Sequence, residues 1–315
     1  MHKKILVAFD GSLFSTNTLH YLGHLFTGQR SIHFDLLCLV RCDIEIINRD
    51  WIGPEEFMEM VGPEARNLFG FMGKKLADAA RQLSRYGIDP QQISTRVKFL
   101  KTNRAADIIH EARCGLYDAV IIGRRGLTPL EELVIGSVSS VVLEKCHDVP
   151  VWLIDGKVNS RKFLLPVDGS DTCLKGVDHL AFMLKDNQFA EVTLFRSTAL
   201  FSSSSQFAEN NAADGNGENQ GRAGRNPDDY FKVPEQILID SGFPPKRIHH
   251  LETGKGIHPS RQIVRQALID DFGTIVMGRR HGDIGTGFGH ILGLFGTTSE
   301  KVVGMAENTA IWLVG

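Results

Sequence analysis

Three short groups of residues in this 315-residue chain have types and spacing suited to chemistry on phosphates. Gly123-Arg124-Arg125-Gly126 is followed, after nine intervening residues, by Gly136-Ser137-Val138-Ser139-Ser140. Gly123 and Gly126 permit tight turns and close backbone approach. Gly136 and Ser137 place unpaired N–H groups at a helix start, where the helix dipole favours phosphate oxygens. Ser137 and Ser139 add hydroxyl donors. Asp10-Gly11-Ser12 is the third group. A carboxylate there, with no basic partner close in sequence, accepts a hydrogen bond from a ribose hydroxyl or an adenine amino group. Blander readings stand beside these. Asp10 also suits a cap for the following helix, and Ser137 an N-cap, which uses the same geometry as phosphate binding. Arg124 reads as a solvated surface arginine.

Other chemistry has little support. The chain holds no G-x4-G-K-[ST] phosphate loop, no G-x-S-x-G elbow and no H-E-x-x-H pair. Its five cysteines, Cys38, Cys42, Cys114, Cys146 and Cys173, show no disulfide or zinc spacing and read as reduced, mostly buried thiols. His249, His250, His258, His281 and His290 are scattered, and no metal site is expected from them.

The elements that must position these groups are legible from periodicity. Ile5–Phe9 is a short apolar run that suits a buried strand. Leu19, Leu22, Leu25 and Phe26 fall on one helical face, and Leu36–Val40 is a second apolar run. Pro63 suits the first turn of a helix with Leu68, Met72, Leu76, Ala79 and Leu83 as its stripe. Ile93, Thr95, Val97 and Phe99 alternate like a strand. Asn103 can cap a helix carrying Ala105, Ile108, Ile109 and Ala112. Ala119–Ile122, a helix through Val138, Val141 and Val142, and Val149–Ile154 complete the set. Strands alternating with helices imply an α/β fold with a parallel sheet covered on both faces.

The whole series occurs twice. Ile5–Ser12 and Phe163–Ser170 read ILVAFDGS and FLLPVDGS, and Trp152 and Trp312 sit in matching closing strands. The second copy is three residues shorter before its glycine loop and five longer inside it, and otherwise the copies stay in phase. Domains are therefore expected at 1–155 and 161–315, joined by Asp155–Ser160. The second copy departs from the first at its phosphate groups. His281 stands where a second glycine belongs, with Gly282 displaced by one. Asp168, Gly278, Gly282, Gly296, Thr297 and Ser299 define a weaker second site, and Ser197 is taken as the counterpart of Val40. Residues 201–229, rich in Ser, Asn, Gly and Gln, cannot repay their ordering entropy by burial and read as a mobile insertion.

Hydrophobic residues make up 42% of the chain and charged residues 23%, with a net charge of −2. These values are ordinary for a soluble globular protein and give no footprint for nucleic acid or an anionic membrane. The apolar run after the two N-terminal lysines is too short for a signal peptide, and the expected location is cytoplasmic.

The pattern Gly123-x2-Gly126-x9-Gly136-Ser137, with the D-G-S after the first strand and the V-P-V-W-L-I closing strand, resembles the ATP-binding signature of the universal stress protein family. The resemblance spans both copies apart from the insertion. It implies two doubly wound domains, each with a five-stranded parallel sheet of order 3-2-1-4-5 flanked by helices. It also implies ATP as the ligand, with Mg or Mn accompanying the phosphates. Ala8 and Asp10 would then border adenine and ribose, and Val40 would pack on adenine. Ile122 and Gly123 would flank base and ribose. Arg125, Gly126, Gly136, Ser137, Val138 and Ser139 would line the phosphates.

Two functional classes follow. One is a stress-response regulatory protein whose first domain holds the nucleotide. The other is a slow ATPase or self-phosphorylating enzyme with Ser137 or Ser139 as acceptor; a nucleotide-free interaction module is a third reading. The first is favoured because no general base stands beside the loop in sequence. The resemblance further implies that the closing strands lie at sheet edges and that domains of this kind pair through them. In a fused chain the tether favours pairing within one molecule over a homodimer.

Overall fold

The computed structural model describes residues 2–42, 54–124, 135–197, 229–253, 258–279 and 297–315. They form two compact units, Met1–Val158 and Asn159–Gly315. The 201–229 stretch lies outside the described residues as far as position 228.

The first unit runs β1 (Lys3–Ala8), α1 (Leu13–Phe26), β2 (Ile32–Val40), α2 (Pro54–Met60), α3 (Pro63–Arg85), β3 (Ile93–Phe99), α4 (Arg104–Cys114), β4 (Ala119–Gly123), α5 (Ser137–Lys145) and β5 (Val151–Ile154). Its strands are parallel in the order β3-β2-β1-β4-β5. β4, and β1 beyond its two opening lysines, are apolar on both faces because helices cover both, and Ile5, Leu6, Val120 and Ile121 are completely buried. α1 buries Leu19, Leu22, Leu25 and Phe26, and the Phe26 ring stacks on Trp152 with centroids 6.0 Å apart. Asn103 caps α4 as its sequence suggests, its side chain accepting from the Ala106 N–H at 2.9 Å. α3 buries Met72, Leu76, Ala79 and Leu83, but Leu68 at the start of the expected stripe is 44% exposed. A 23-residue helix is about 34 Å long, and the seven-residue β3 it covers spans only about 23 Å, so one end overhangs.

One charged group interrupts the apolar interior of β2. Asp35 is buried and accepts from Arg96 of β3 at 2.6 and 3.0 Å and from the Tyr117 hydroxyl. Arg96 also reaches Glu111 of α4, which takes Lys98 at 2.6 Å. Bidentate, charge-assisted bonds of this kind hold edge strand β3 to its neighbours more firmly than neutral pairs would.

The second unit repeats the plan with β6 (Lys162–Pro166), α6 (Asp171–Leu184), β7 (Glu191–Ser197), α7 (Asp229–Asp240), β8 (Ile248–Thr253), α8 (Pro259–Ile269), β9 (Thr274–Gly278), α9 (Thr297–Met305) and β10 (Ala310–Val314). Its strands are parallel in the order β8-β7-β6-β9-β10. Trp312 is fully buried, edge-on to Phe163 at 5.2 Å and to the buried His179 of α6 at 5.8 Å. Each unit is thus the doubly wound five-stranded sheet that the sequence implies. Among the described residues no helix is long and apolar enough to cross a membrane.

Candidate nucleotide site

In the order β3-β2-β1-β4-β5 the winding reverses between β1 and β4, and ligands of open α/β sheets bind beyond the carboxyl ends of such a pair. Both expected motifs lie there. β1 ends at the half-buried Ala8, and the chain turns through Gly11, whose φ of +76° is strained for other residues. Asp10 is half-buried, and its Oδ1 accepts from the Ser12 N–H at 2.9 Å and the Ser15 hydroxyl at 2.6 Å. Ser12 in turn caps α1 by accepting from the Ser15 N–H. Asp10 therefore supports the cap rather than forming it. Its Oδ2 has no hydrogen bond among the described residues.

On β4, Gly123 is joined to the start of α5. The Ser139 hydroxyl donates to the Gly123 carbonyl at 2.7 Å, so Ser139 does not offer that proton to a ligand as its sequence position suggested. Gly136 is the N-cap residue and has no side chain to satisfy the first turn, so Ser137 is the first helical residue and not the cap. Ser137 is exposed, Val138 half-buried and Ser139 buried. The free amide groups of that turn are a place for anionic oxygens.

Arg124 corrects the sequence reading most. It is 2% exposed, not solvated, and its Nη1 meets Asp155 Oδ2 at 3.0 Å. Its N–H donates to the Ile154 carbonyl at 2.9 Å, and its carbonyl accepts from the Gly136 N–H at 2.8 Å. Both ends of the glycine loop are thereby stitched together beside β5. Arg125 and Gly126 lie outside the described residues. Val40 and Ile122 are buried at the ends of β2 and β4, and the Val40 carbonyl accepts from the Leu100 N–H.

Sequence reasoning overlooked Cys38 of β2 and Arg104 of α4. Burial, reinforced by Asp10 and opposed by Arg104, pushes the Cys38 thiol up to about 11. The buried thiol is therefore neutral at physiological pH. Cys146 and Cys173 are buried as well, Cys42 is half-buried and Cys114 is exposed. Among the described residues no cluster of three or more His, Cys, Asp or Glu could hold a metal ion.

The second unit keeps the plan with differences. Asp168 Oδ1 accepts from the N–H and the hydroxyl of Ser170, which caps α6. The Ser299 hydroxyl donates to the Gly278 carbonyl, but at 3.4 Å, and Arg279 is buried like Arg124, with its N–H on the Val314 carbonyl. Gly278 has no room for a side chain, since a Cβ there would stand 2.0 Å from the Thr172 carbonyl oxygen of α6. Thr297 opens α9. Gly282 and Gly296 lie outside the described residues.

Ser197 is not the counterpart of Val40. Phe9 N–H bonds to Leu37 and Val167 N–H to Phe195 in the two units, a register that pairs Ser197 with Leu39 and Thr198 with Val40. Thr198 lies outside the described residues.

Fold and site together describe a tandem of doubly wound α/β domains with a phosphate-type helix entry at the switch point. Residues 54–155 match the model of the universal stress protein family. A universal stress protein from Archaeoglobus fulgidus shares the fold with a TM-score of 0.64 at 20% identity, covering 99% of this chain and 97% of its own. A functionally unknown protein from Pseudomonas aeruginosa PAO1 follows at 0.55 and 17% identity, covering 99% of this chain and 92% of its own. No curated protein sequence matches significantly.

Proposed function

We propose that this chain is a nucleotide-binding regulatory protein of the stress-response type, with ATP held by the first unit. The observation that carries the reading is the α5 entry. Gly136 leaves the first turn without a side-chain cap, and Ser139 locks that turn onto Gly123 of β4. Asp10 stands at the end of the neighbouring β1 with one carboxylate oxygen already occupied. Preorganised amides favour phosphates, while a fixed carboxylate accepts a sugar hydroxyl, so the two motifs orient a nucleotide across the switch point. Mg or Mn accompanying the phosphates fits this reading, with the nucleotide supplying most of the ligands.

Binding rather than catalysis is favoured because Asp10 uses Oδ1 to support the α1 cap and no histidine stands at these strand ends among the described residues. The second unit is the weaker site, because His281 stands where the second glycine of the loop belongs and the loop is five residues longer. Mass analysis of small molecules released on denaturing the freshly purified chain tests the reading, with ATP near one per chain as the expected result. Calorimetry on the intact chain should show the same stoichiometry, abolished by Gly136→Val. Retention of binding in that variant refutes the assignment.

A further inference from the structure

Three cations stand beyond the carboxyl ends of β2 and β3 in the first unit. Arg41 directly follows β2, Lys101 lies two residues past β3, and Arg104 is the first residue of α4. All three are exposed, and none of their charged groups has a hydrogen-bonding or ion-pair partner among the described residues. Asp107, the nearest carboxylate in sequence to Lys101 and Arg104, is occupied by backbone, accepting from the Lys101 N–H at 2.6 Å and the Thr102 N–H at 3.2 Å, and Asp43, two residues from Arg41, lies outside the described residues. Asp10 follows β1 and Arg104 follows β3, the two strands paired to β2, so the carboxylate and the arginine belong to the same end of the sheet on either side of β2. The cluster is not a general property of the fold. The same three positions of the second copy hold Ala199, Gly256 and Pro259.

These charges lie on the side of the crevice away from α5. A nucleotide with its 5′-phosphates on the α5 entry lays its sugar over Asp10 and its base toward β2. A neutral base gives these cations, which have no partner among the described residues, nothing to bind, and Asp10 alone would leave most of their charge uncompensated. We infer that the first unit selects an adenine nucleotide bearing a second phosphate on its 2′ or 3′ ribose hydroxyl, gripped by Arg104 and Arg41 with Lys101 adding attraction. The remaining ribose hydroxyl goes to Asp10. Planar guanidinium groups suit this task, because they bind phosphate through two parallel donors. The inference rests on the nucleotide reading above and narrows it.

The test is titration calorimetry on the full chain with AMP, adenosine 2′,5′-bisphosphate and adenosine 3′,5′-bisphosphate at about 0.15 M ionic strength. One bisphosphate should bind at least about tenfold more tightly than AMP. In the double variant Arg41→Gln/Arg104→Gln that preference should fall to within about twofold, with AMP affinity unchanged. Arg104→Lys should keep part of it. Both sites are exposed, and an unchanged melting temperature confirms that the variants are folded. If AMP binds but neither bisphosphate is preferred, or the preference survives in the double variant, this inference is overturned and the broader reading stands. If no adenine nucleotide binds at all, both fall.

Discussion

Ser139 donates its hydroxyl to the carbonyl of Gly123 at 2.7 Å, and this one bond fixes the first turn of α5 against the end of β4. Ser139→Ala leaves the carbonyl without that donor, a loss of about 1–2 kcal/mol in stability. The amides that follow Gly136 lose their preset position as well, so ATP affinity should drop several-fold. Ser299→Ala removes a bond of 3.4 Å and should cost much less. Denaturant unfolding and calorimetry of both variants measure this, and equal effects would contradict it.

Arg124 is predicted to matter through Asp155. Their 3.0 Å pair is nearly shielded from water, so Arg124→Met takes the guanidinium away from a carboxylate that is itself only 15% exposed. Breaking one side of such a pair costs about 3–5 kcal/mol. The double variant Arg124→Met/Asp155→Asn should recover at least half of that. A double-mutant cycle in urea that finds purely additive losses would show the pair to be idle.

Acid should weaken the second unit through His179. Burial lowers the His179 pKa to about 3, from an ordinary value of 6.5. Below the ordinary value the unfolded chain takes up a proton that the folded chain refuses, so stability declines as pH falls. The decline continues to the folded value, with a slope of about 1.4 kcal/mol per pH unit. Between pH 7 and pH 5 this group should cost about 2 kcal/mol. His179→Leu should flatten that part of the profile, followed by fluorescence of the neighbouring Trp312. A profile identical to that of the parent chain would exclude His179 as the cause.

The last strands of the two units, β5 and β10, each end their own strand order and carry a buried tryptophan. Apolar edges of this sort invite pairing, and the tether between the units raises their effective concentration. We propose that they associate within one chain. Cysteines introduced beside Trp152 and Trp312 should cross-link within a single molecule at high dilution. Cross-links found only between molecules would argue for a homodimer instead.

Features governed by neighbours in the chain were readable in advance. The Asn103 cap and the Pro63 helix start depend on a few adjacent residues, and both are where the sequence puts them. Features governed by distant partners were not. Arg124 reads as a surface residue because its counter-charge lies 31 positions away. Ser139 reads as a phosphate donor because its acceptor, Gly123, is brought to it only by the fold. The match of Ser197 to Val40 slipped by one position, since aligned letters do not carry hydrogen-bond register, and a one-residue slip moves a side chain to the opposite face of a sheet. Leu68 continued a perfect helical stripe that the sheet below is too short to cover.

The stitch between the Arg124 carbonyl and the Gly136 N–H makes the intervening segment a replaceable part. Its first end, Arg124, is held by backbone on β5 and by a buried ion pair, and its second, Gly136, is held by Arg124, so the sheet is indifferent to how many residues run between them. Loop-closure entropy grows only logarithmically, and even doubling such a loop costs about 0.6 kcal/mol. The extra five residues in the matching loop of the second copy are a change of the size this arrangement tolerates. A segment of different length and chemistry, grafted between Arg124 and Gly136, should therefore change what the protein holds without changing whether it folds.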